Sequence, residues 1–361
     1  ANSDGHSNSF FGQMAGHANT GGDYNAFFGI NSGAANTTAT GNSFFGSNSG
    51  ASNTTGFNNV FVGYESGTTN STGDANTFVG SGSGKANTIG VDNTLLGTAA
   101  GIGNTEGNEN TFVGRSAGRL NVTGSGNTFA GFESGRSATT SYNSFYGWNS
   151  GRNTTTGSNN SFFGVNAGFN NSSGYLNAFF GQNAGLDNNT GFRNAFFGYG
   201  AGADNQVGAF NTFVGSSSGG GQLSGSRNTA LGASTKIPTA STDSTAIGFG
   251  AEANGGTFST AIGAGTVNPR SNTIMLGRLN GSDAVEIPGD LYLPNMGTVG
   301  SFNSIQVCVD VDTGYISKCQ LPGVTAELEL KVQEQAKEIL TLKQEMSVLK
   351  AIVCAQNPQA G

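Results

Sequence analysis

Asn110-Thr111-Phe112-Val113-Gly114 is one copy of a box that recurs through most of the chain. Its glycine returns every 17 residues as Gly12, Gly29, Gly46, Gly63, Gly80, Gly97, Gly114 and Gly131. After one step of 16 come Gly147, Gly164, Gly181, Gly198, Gly215 and Gly232. Steps of 16, 15 and 14 then reach Gly248, Gly263 and Gly277. A fixed period of this length means stacked repeats, each a supersecondary unit that buries its apolar face only against its neighbours.

The box reads as a strand. Successive strand side chains face opposite ways, so Phe112 and Val113 cannot share a face. The position two before the glycine carries Phe10, Phe27, Phe44, Phe61, Phe78, Leu95, Phe112, Phe129, Phe145, Phe162, Phe179, Phe196 and Phe213. The position just before the glycine is also apolar, for example Phe28, Val79, Phe163 and Val214. A strand apolar on both faces is expected to be buried on both. One face lines the inside of its own coil. The other needs a second surface, most simply another copy of the chain.

The repeat glycine permits a corner. A second glycine four residues on, and polar turns such as Asn53-Thr54-Thr55-Gly56, complete the unit. Each coil is therefore expected to run strand, corner, short second strand, turn. Asn stands four before the glycine in the first fourteen copies, as Asn8, Asn25, Asn42, Asn59, Asn76, Asn93, Asn110, Asn127 and onward to Asn228. Stacked Asn can form a side-chain hydrogen-bond ladder along the axis. Seventeen layers at ~4.8 Å would make a rod of about 80 Å.

Composition agrees with a repeat and not with disorder. Gly is 61 of 361 residues and charged residues are 10%. Yet 18 of the 26 Phe fall at the two apolar box positions, whereas disordered chains are poor in aromatics. The formal net charge of −7 lacks the basic face of a nucleic-acid binder. No apolar run approaches the ~18–20 residues of a membrane helix. The chain reads as a mature, secreted form whose targeting segment has been removed.

Near its end the repeat tightens. Thr229-Ala230-Leu231-Gly232, Thr245-Ala246-Ile247-Gly248 and Thr260-Ala261-Ile262-Gly263 put Ala where Phe stood, and a smaller side chain permits a smaller coil. The stretch Ser244-Thr245-Ala246-Ile247-Gly248-Phe249-Gly250-Ala251-Glu252-Ala253-Asn254-Gly255 resembles the Ser-x-Ala-Ile-Gly-x-x-Ala-x-Ala-x-Gly repeat of the YadA-like head of trimeric autotransporter adhesins. The likeness is specific between 229 and 277, and the 17-residue copies resemble a longer variant. It implies a left-handed parallel β-roll, three chains around one axis, and a trimeric coiled coil behind them. The chain is expected to depart from that family at its end, where the pattern of membrane-spanning anchor strands is not read.

The expected organisation is a roll of 17-residue coils over 1–232, shorter YadA-like coils over 233–277, a β neck over 278–323 and a coiled coil with tail over 324–361. In the neck, a two-residue turn at Thr313-Gly314 would place Cys308 opposite Cys319, at disulfide-compatible distance. Two free thiols are the alternative. In the tail, Leu328, Val332, Gln335, Ile339, Leu342, Met346, Leu349 and Val353 alternate by 4 and 3, a heptad seam with one polar interruption. The bland alternative is an amphipathic helix docked on the neck.

Chemistry is sparse. The two histidines, His6 and His17, sit in repeat turns. There is no zinc or calcium motif and no clustered carboxylate pair, so no metal, cofactor or catalytic site is expected. Sequons occur at Asn36, Asn53, Asn121 and Asn153, among others, as chance would give in an Asn/Thr-rich repeat. The expected function is that of an extracellular structural and adhesive fibre, homotrimeric and polymerising head to tail through an uncapped first coil. A phage tail-fibre or receptor-binding segment is the alternative, and ice binding through Thr rows is disfavoured by their irregularity.

Overall fold

The computed structural model describes residues 4–221, 224–278, 280, 283, 307–309, 316–318, 334–335 and 337–347. The chain divides into two units, residues 1–286 and 287–361.

The first unit is a parallel β-solenoid. Each box supplies one strand, from Ser9–Phe11 to Thr273–Leu276, and together they form a 17-stranded sheet. Pairing is parallel and keeps box on box, with Phe27 beside Phe44 and Phe44 beside Phe61. The ring stack follows from that register: Phe27 and Phe44 centroids are 4.9 Å apart and tilted by 10°, the spacing of hydrogen-bonded strands. This inner row is fully buried from Phe27 to Phe213, with Phe10 partly covered at the first coil.

The expected short second strand is absent from the 17-residue coils among the described residues. After each corner, two residues take left-handed conformations, such as Asn31 (φ 56) and Gly33 (φ 56), which extended backbone excludes. Coils still bond there one by one, for example Gly33 N–H to the Ser49 carbonyl at 3.0 Å. A second strand does form in the tightened coils, where Glu252–Ala253 pairs with Val267–Asn268. There the inner row is Ala230, Ala246 and Ala261, all buried.

In the second unit, Val307–Val309 pairs antiparallel with Ile316–Lys318, so a hairpin is present. Its register differs by two residues from the expected one: Cys308 stands opposite Ser317. The described pairing is therefore not the Cys308–Cys319 alignment, and Cys319 lies outside the described residues. Residues 334–335 and 337–347 are helical. They include Gln335, Ile339, Leu342 and Met346 of the expected seam, while Leu328, Val332, Leu349 and Val353 lie outside the described residues.

Candidate functional surface

The outward face of the sheet is the most distinctive surface of the solenoid. Strand alternation turns the residue before each glycine outward, along with the residue three before it. The row before the glycine is Phe11, Phe28, Phe45, then Val62, Val79, Leu96, Val113, Ala130, then Tyr146, Phe163, Phe180, Phe197, then Val214, Leu231, Ile247 and Ile262. Among the described residues only its own neighbours in the row flank it, and it is exposed or half-buried. Phe28 is 39% exposed and Phe45 41%, although each ring is flanked by its neighbours in the stack. Burial on both faces, as expected from the sequence, is thus not met within one chain. The inner row has the coil wall over it and the outer row has solvent.

The row three before the glycine is small and mostly polar: Ser9, Ala26, Ser43, then Val60, Thr77, Thr94, Thr111, Thr128, then Ser144, Ser161, Ala178, Ala195, then Thr212, Thr229, Thr245 and Thr260. The two rows run together down the sheet as one stripe with an apolar seam. Soluble monomers rarely leave so long an apolar patch open. Its side chains are held in place from within. Tyr146, Phe163, Phe180 and Phe197 stack at 4.7, 4.7 and 5.0 Å.

Rigidity behind the stripe comes from buried amides. The expected Asn ladder is present from Asn8 through Asn127 and beyond. Asn42 shows the unit: its N–H donates to Asn25 Oδ1 at 3.0 Å, and its Nδ2 donates to the Gly56 carbonyl at 2.8 Å. Asn8 is half-buried, and Asn25, Asn42, Asn59, Asn76, Asn93, Asn110 and Asn127 are buried. A second ladder was missed in the sequence. Asn19, Asn36, Asn53, Asn70, Asn87, Asn104 and Asn121 are buried at 0% exposure and bond head to tail, as in Asn36 Nδ2 to Asn19 Oδ1 at 2.7 Å. Each also donates to the carbonyl three residues on, as Asn53 does to Gly56 at 2.9 Å. Their 17-residue spacing was the available signal, hidden because Asn-Thr-Thr-Gly reads locally as a polar turn. A third row, Ser32, Ser49 and Ser66, ties hydroxyls to the carbonyls of Phe44, Phe61 and Phe78 at 3.0–3.1 Å.

The ladder disposes of most nominal sequons, because Asn36, Asn53 and Asn121 are buried with their amides bonded. Asn153 is half-buried and bonds Asn170 at 3.0 Å.

Surface charges pair between adjacent coils. Lys85 reaches Glu65 at 2.6 Å, Arg152 reaches Glu133 at 2.5 Å, and Lys236 reaches Glu252 at 2.6 Å. Hydrogen bonds from Lys85 and Lys236 hold the Glu65 and Glu252 carboxyls below the usual range. Arg278 grips Asp283 and draws it down to about 2, mainly through side-chain hydrogen bonds. All are structural pairs on an open surface. Among the described residues no three His, Cys, Asp or Glu gather as a metal site, and His6 and His17 are exposed. No helix among them is long and apolar enough to cross a membrane. On the helix, Ile339, Leu342 and Met346 are all exposed. No family model and no curated protein matches the chain.

Proposed function

We propose that the chain is the protomer of an extracellular structural and adhesive fibre, and that it works as a homotrimer built on the outward stripe. The observation that carries this is the exposed, stacked apolar row running the length of the sheet. Burying one Phe side chain contributes roughly 1.5–3 kcal/mol, and the row repeats that gain coil after coil. The helix supports the same assembly, because Ile339, Leu342 and Met346 follow heptad spacing and stay uncovered in the single chain. The likeness of residues 229–277 to YadA-like heads favours three chains and a surface location. The fibre acts by presenting a stiff shaft, whose remaining faces mix polar side chains with exposed aromatics such as Tyr64, Trp148 and Tyr199, and not by catalysis.

Light scattering of the purified protein tests it. A mass of three chains is expected, and Phe180→Asp on the stripe is expected to lower that mass while circular dichroism keeps the β signature. A parent protein that is monomeric and fully folded would remove the proposal.

A further inference from the structure

Beyond the glycine corner, the wall of the solenoid pairs its charges by position. The residue five after one box glycine meets the residue two after the box glycine of the coil before. Lys85 meets Glu65 in this way at 2.6 Å, and Arg152 meets Glu133 at 2.5 Å. Arg119 and Arg136 stand in the same row as Arg152, on the two coils before it. The positions where their acids belong carry Ala99 and Ser116 instead. Arg119 is exposed and makes no ion pair among the described residues. Arg136 comes within 3.7 Å of Glu133, but its covered Nε has no hydrogen-bond partner. Residues 110–186 hold four Arg and one acid, Glu133, a local +3 in a chain of net −7. Guanidinium groups on coils stacked ~4.8 Å apart repel one another, and a single carboxylate lies among them.

Flat apolar groups flank this row. The Arg115 guanidinium lies over the Phe132 ring at 5.8 Å, and that of Arg152 over Phe169 at 5.6 Å. Trp148 packs on Phe132 at 4.7 Å and remains 56% exposed. Beside Trp148 runs a half-buried row of amides, in which Asn149 donates to Asn166 at 3.4 Å and Asn166 to Asn183 at 3.3 Å.

Deepening the adhesive role proposed above, and resting on it, we propose that this wall binds a carboxylate-bearing polysaccharide, a polyuronate, laid along the solenoid axis. One ligand carboxylate takes the place beside Ser116 and meets Arg119 and Arg136, as Glu133 one coil on meets Arg136 and Arg152. A second, beside Ala99, meets Arg119. The guanidinium fork matches a carboxylate in shape as well as charge. The sugar rings set their C–H faces against Trp148, and their hydroxyls meet the amide row. Single-stranded nucleic acid fits less well, because its bases need successive free ring faces, and Phe132 already meets Arg115 and Trp148. An acidic peptide would use the guanidinium groups and leave Trp148 and the amides idle.

Calorimetric titration of the full chain with polygalacturonate tests the site, at low salt because exposed charges are screened. Ser116→Glu supplies the missing acid from within the chain. Glu65 and Glu133 hold the same coil position at φ 56 and 51, and Ser116 has φ 59, so the backbone accepts the change. Polygalacturonate is expected to bind and neutral dextran is not. Ser116→Glu and Arg119→Gln should each weaken binding about ten-fold or more, with the thermal midpoint of Ser116→Glu at or above that of the parent. Ser217→Glu makes the same charge change at the same coil position outside the patch, and should stay within roughly two-fold of the parent. No binding of polygalacturonate would overturn the proposal. So would tighter binding of dextran sulfate, polyglutamate or single-stranded DNA, or an equal loss in Ser116→Glu and Ser217→Glu. Light scattering of the same samples reports self-association separately. A monomer that binds refutes the trimer and keeps this site, whereas a trimer that does not bind refutes the site alone.

Discussion

Replacing Asn87 by Ala tests whether the buried amide ladder holds the solenoid together. Asn87 is 0% exposed. Its Nδ2 donates to Asn70 Oδ1 at 2.6 Å and to the Gly90 carbonyl at 3.0 Å, and its Oδ1 accepts from Asn104 Nδ2 at 3.0 Å. Losing three such bonds costs about 1 kcal/mol each, and the buried acceptor left bare, Asn70 Oδ1, adds about 1–3 kcal/mol, whereas the Gly90 carbonyl still accepts from Asn76 Nδ2 at 2.8 Å. Local relaxation offsets part of this, so a loss on the order of 4 kcal/mol is expected. The comparison is Thr54→Ala. Thr54 Oγ1 donates one part-buried bond to the Ser71 carbonyl at 3.0 Å, so its loss should stay near ~1 kcal/mol. Denaturant midpoints at one fixed protein concentration measure both. Amide exchange localises the effect, because ~1.4 kcal/mol is a factor of ten and repeats couple chiefly to their neighbours. Protection around Asn87 should drop roughly a thousandfold. If Asn87→Ala costs no more than Thr54→Ala, the ladder is decorative and the reasoning fails.

Asn87→Asp sharpens the same test through pH. Both groups facing Nδ2 are acceptors, so a buried carboxylate there sets one oxygen against oxygen only, while its other oxygen keeps the Asn104 Nδ2 donor. Its folded pKa must lie above the unfolded Asp value of ~3.9. Stability is then fullest below that unfolded value, where the protonated acid can donate, and falls as pH rises through the raised folded value. The variant should therefore be closest to the parent in acid. A variant whose deficit is pH-independent would refute the buried-donor role.

Phe162→Ala empties a fully buried ring site between Phe145 and Phe179, which lie at 4.7 and 4.8 Å, and should cost about 3–5 kcal/mol by denaturant titration. Gly164→Ala should abolish folding of its coil, seen as lost amide protection, because the glycine sits at φ 138 and an added Cβ would lie 2.5 Å from the Gly181 carbonyl oxygen. In the parent, the Glu65, Asp243, Glu252 and Asp283 carboxyls are all lowered, first by side-chain hydrogen bonds to Lys85, Arg227, Lys236 and Arg278. Their contribution is present above the unfolded carboxylate values and is lost as pH falls towards the folded ones, about 2 for Asp283. Thermal midpoints should thus be flat near neutrality and decline only in acid, less so in high salt, which screens exposed pairs.

What was legible in the sequence is what a period encodes. Gly12 to Gly277 fixed the number of strands, and Phe112 against Val113 fixed that the two side chains face opposite ways, but not which of them faces in. The doubly apolar strand was read as a demand for two surfaces, and one chain supplies the inner one. A period also hides things. Asn19 to Asn121 repeat as faithfully as Asn8 to Asn127, yet sit in what looks like turn chemistry, so burial there depends on the coil folding back over them. The break in that ladder shows what its residues require. Asn121 Oδ1 has no partner, because the next coil places Ala138 in the row. That coil is the one shortened by a residue: Asn127 Nδ2 there reaches the carbonyl of Thr140, where the coil before offers Gly124 to Asn110. Thr140 lies two residues beyond Ala138, and the intact row uses a carbonyl three beyond. An amide at position 138 would lose the second of its two acceptors, so the amide has gone with the loop residue that served it. The same logic reads the tightened coils. Ser244 and Ser259 replace Asn just where the steps shorten to 16 and 15, and Ser244 Oγ still reaches the Gly256 carbonyl at 2.5 Å. Side-chain length and coil length change together along the solenoid, so irregularities in the sequence mark where the wall geometry changes.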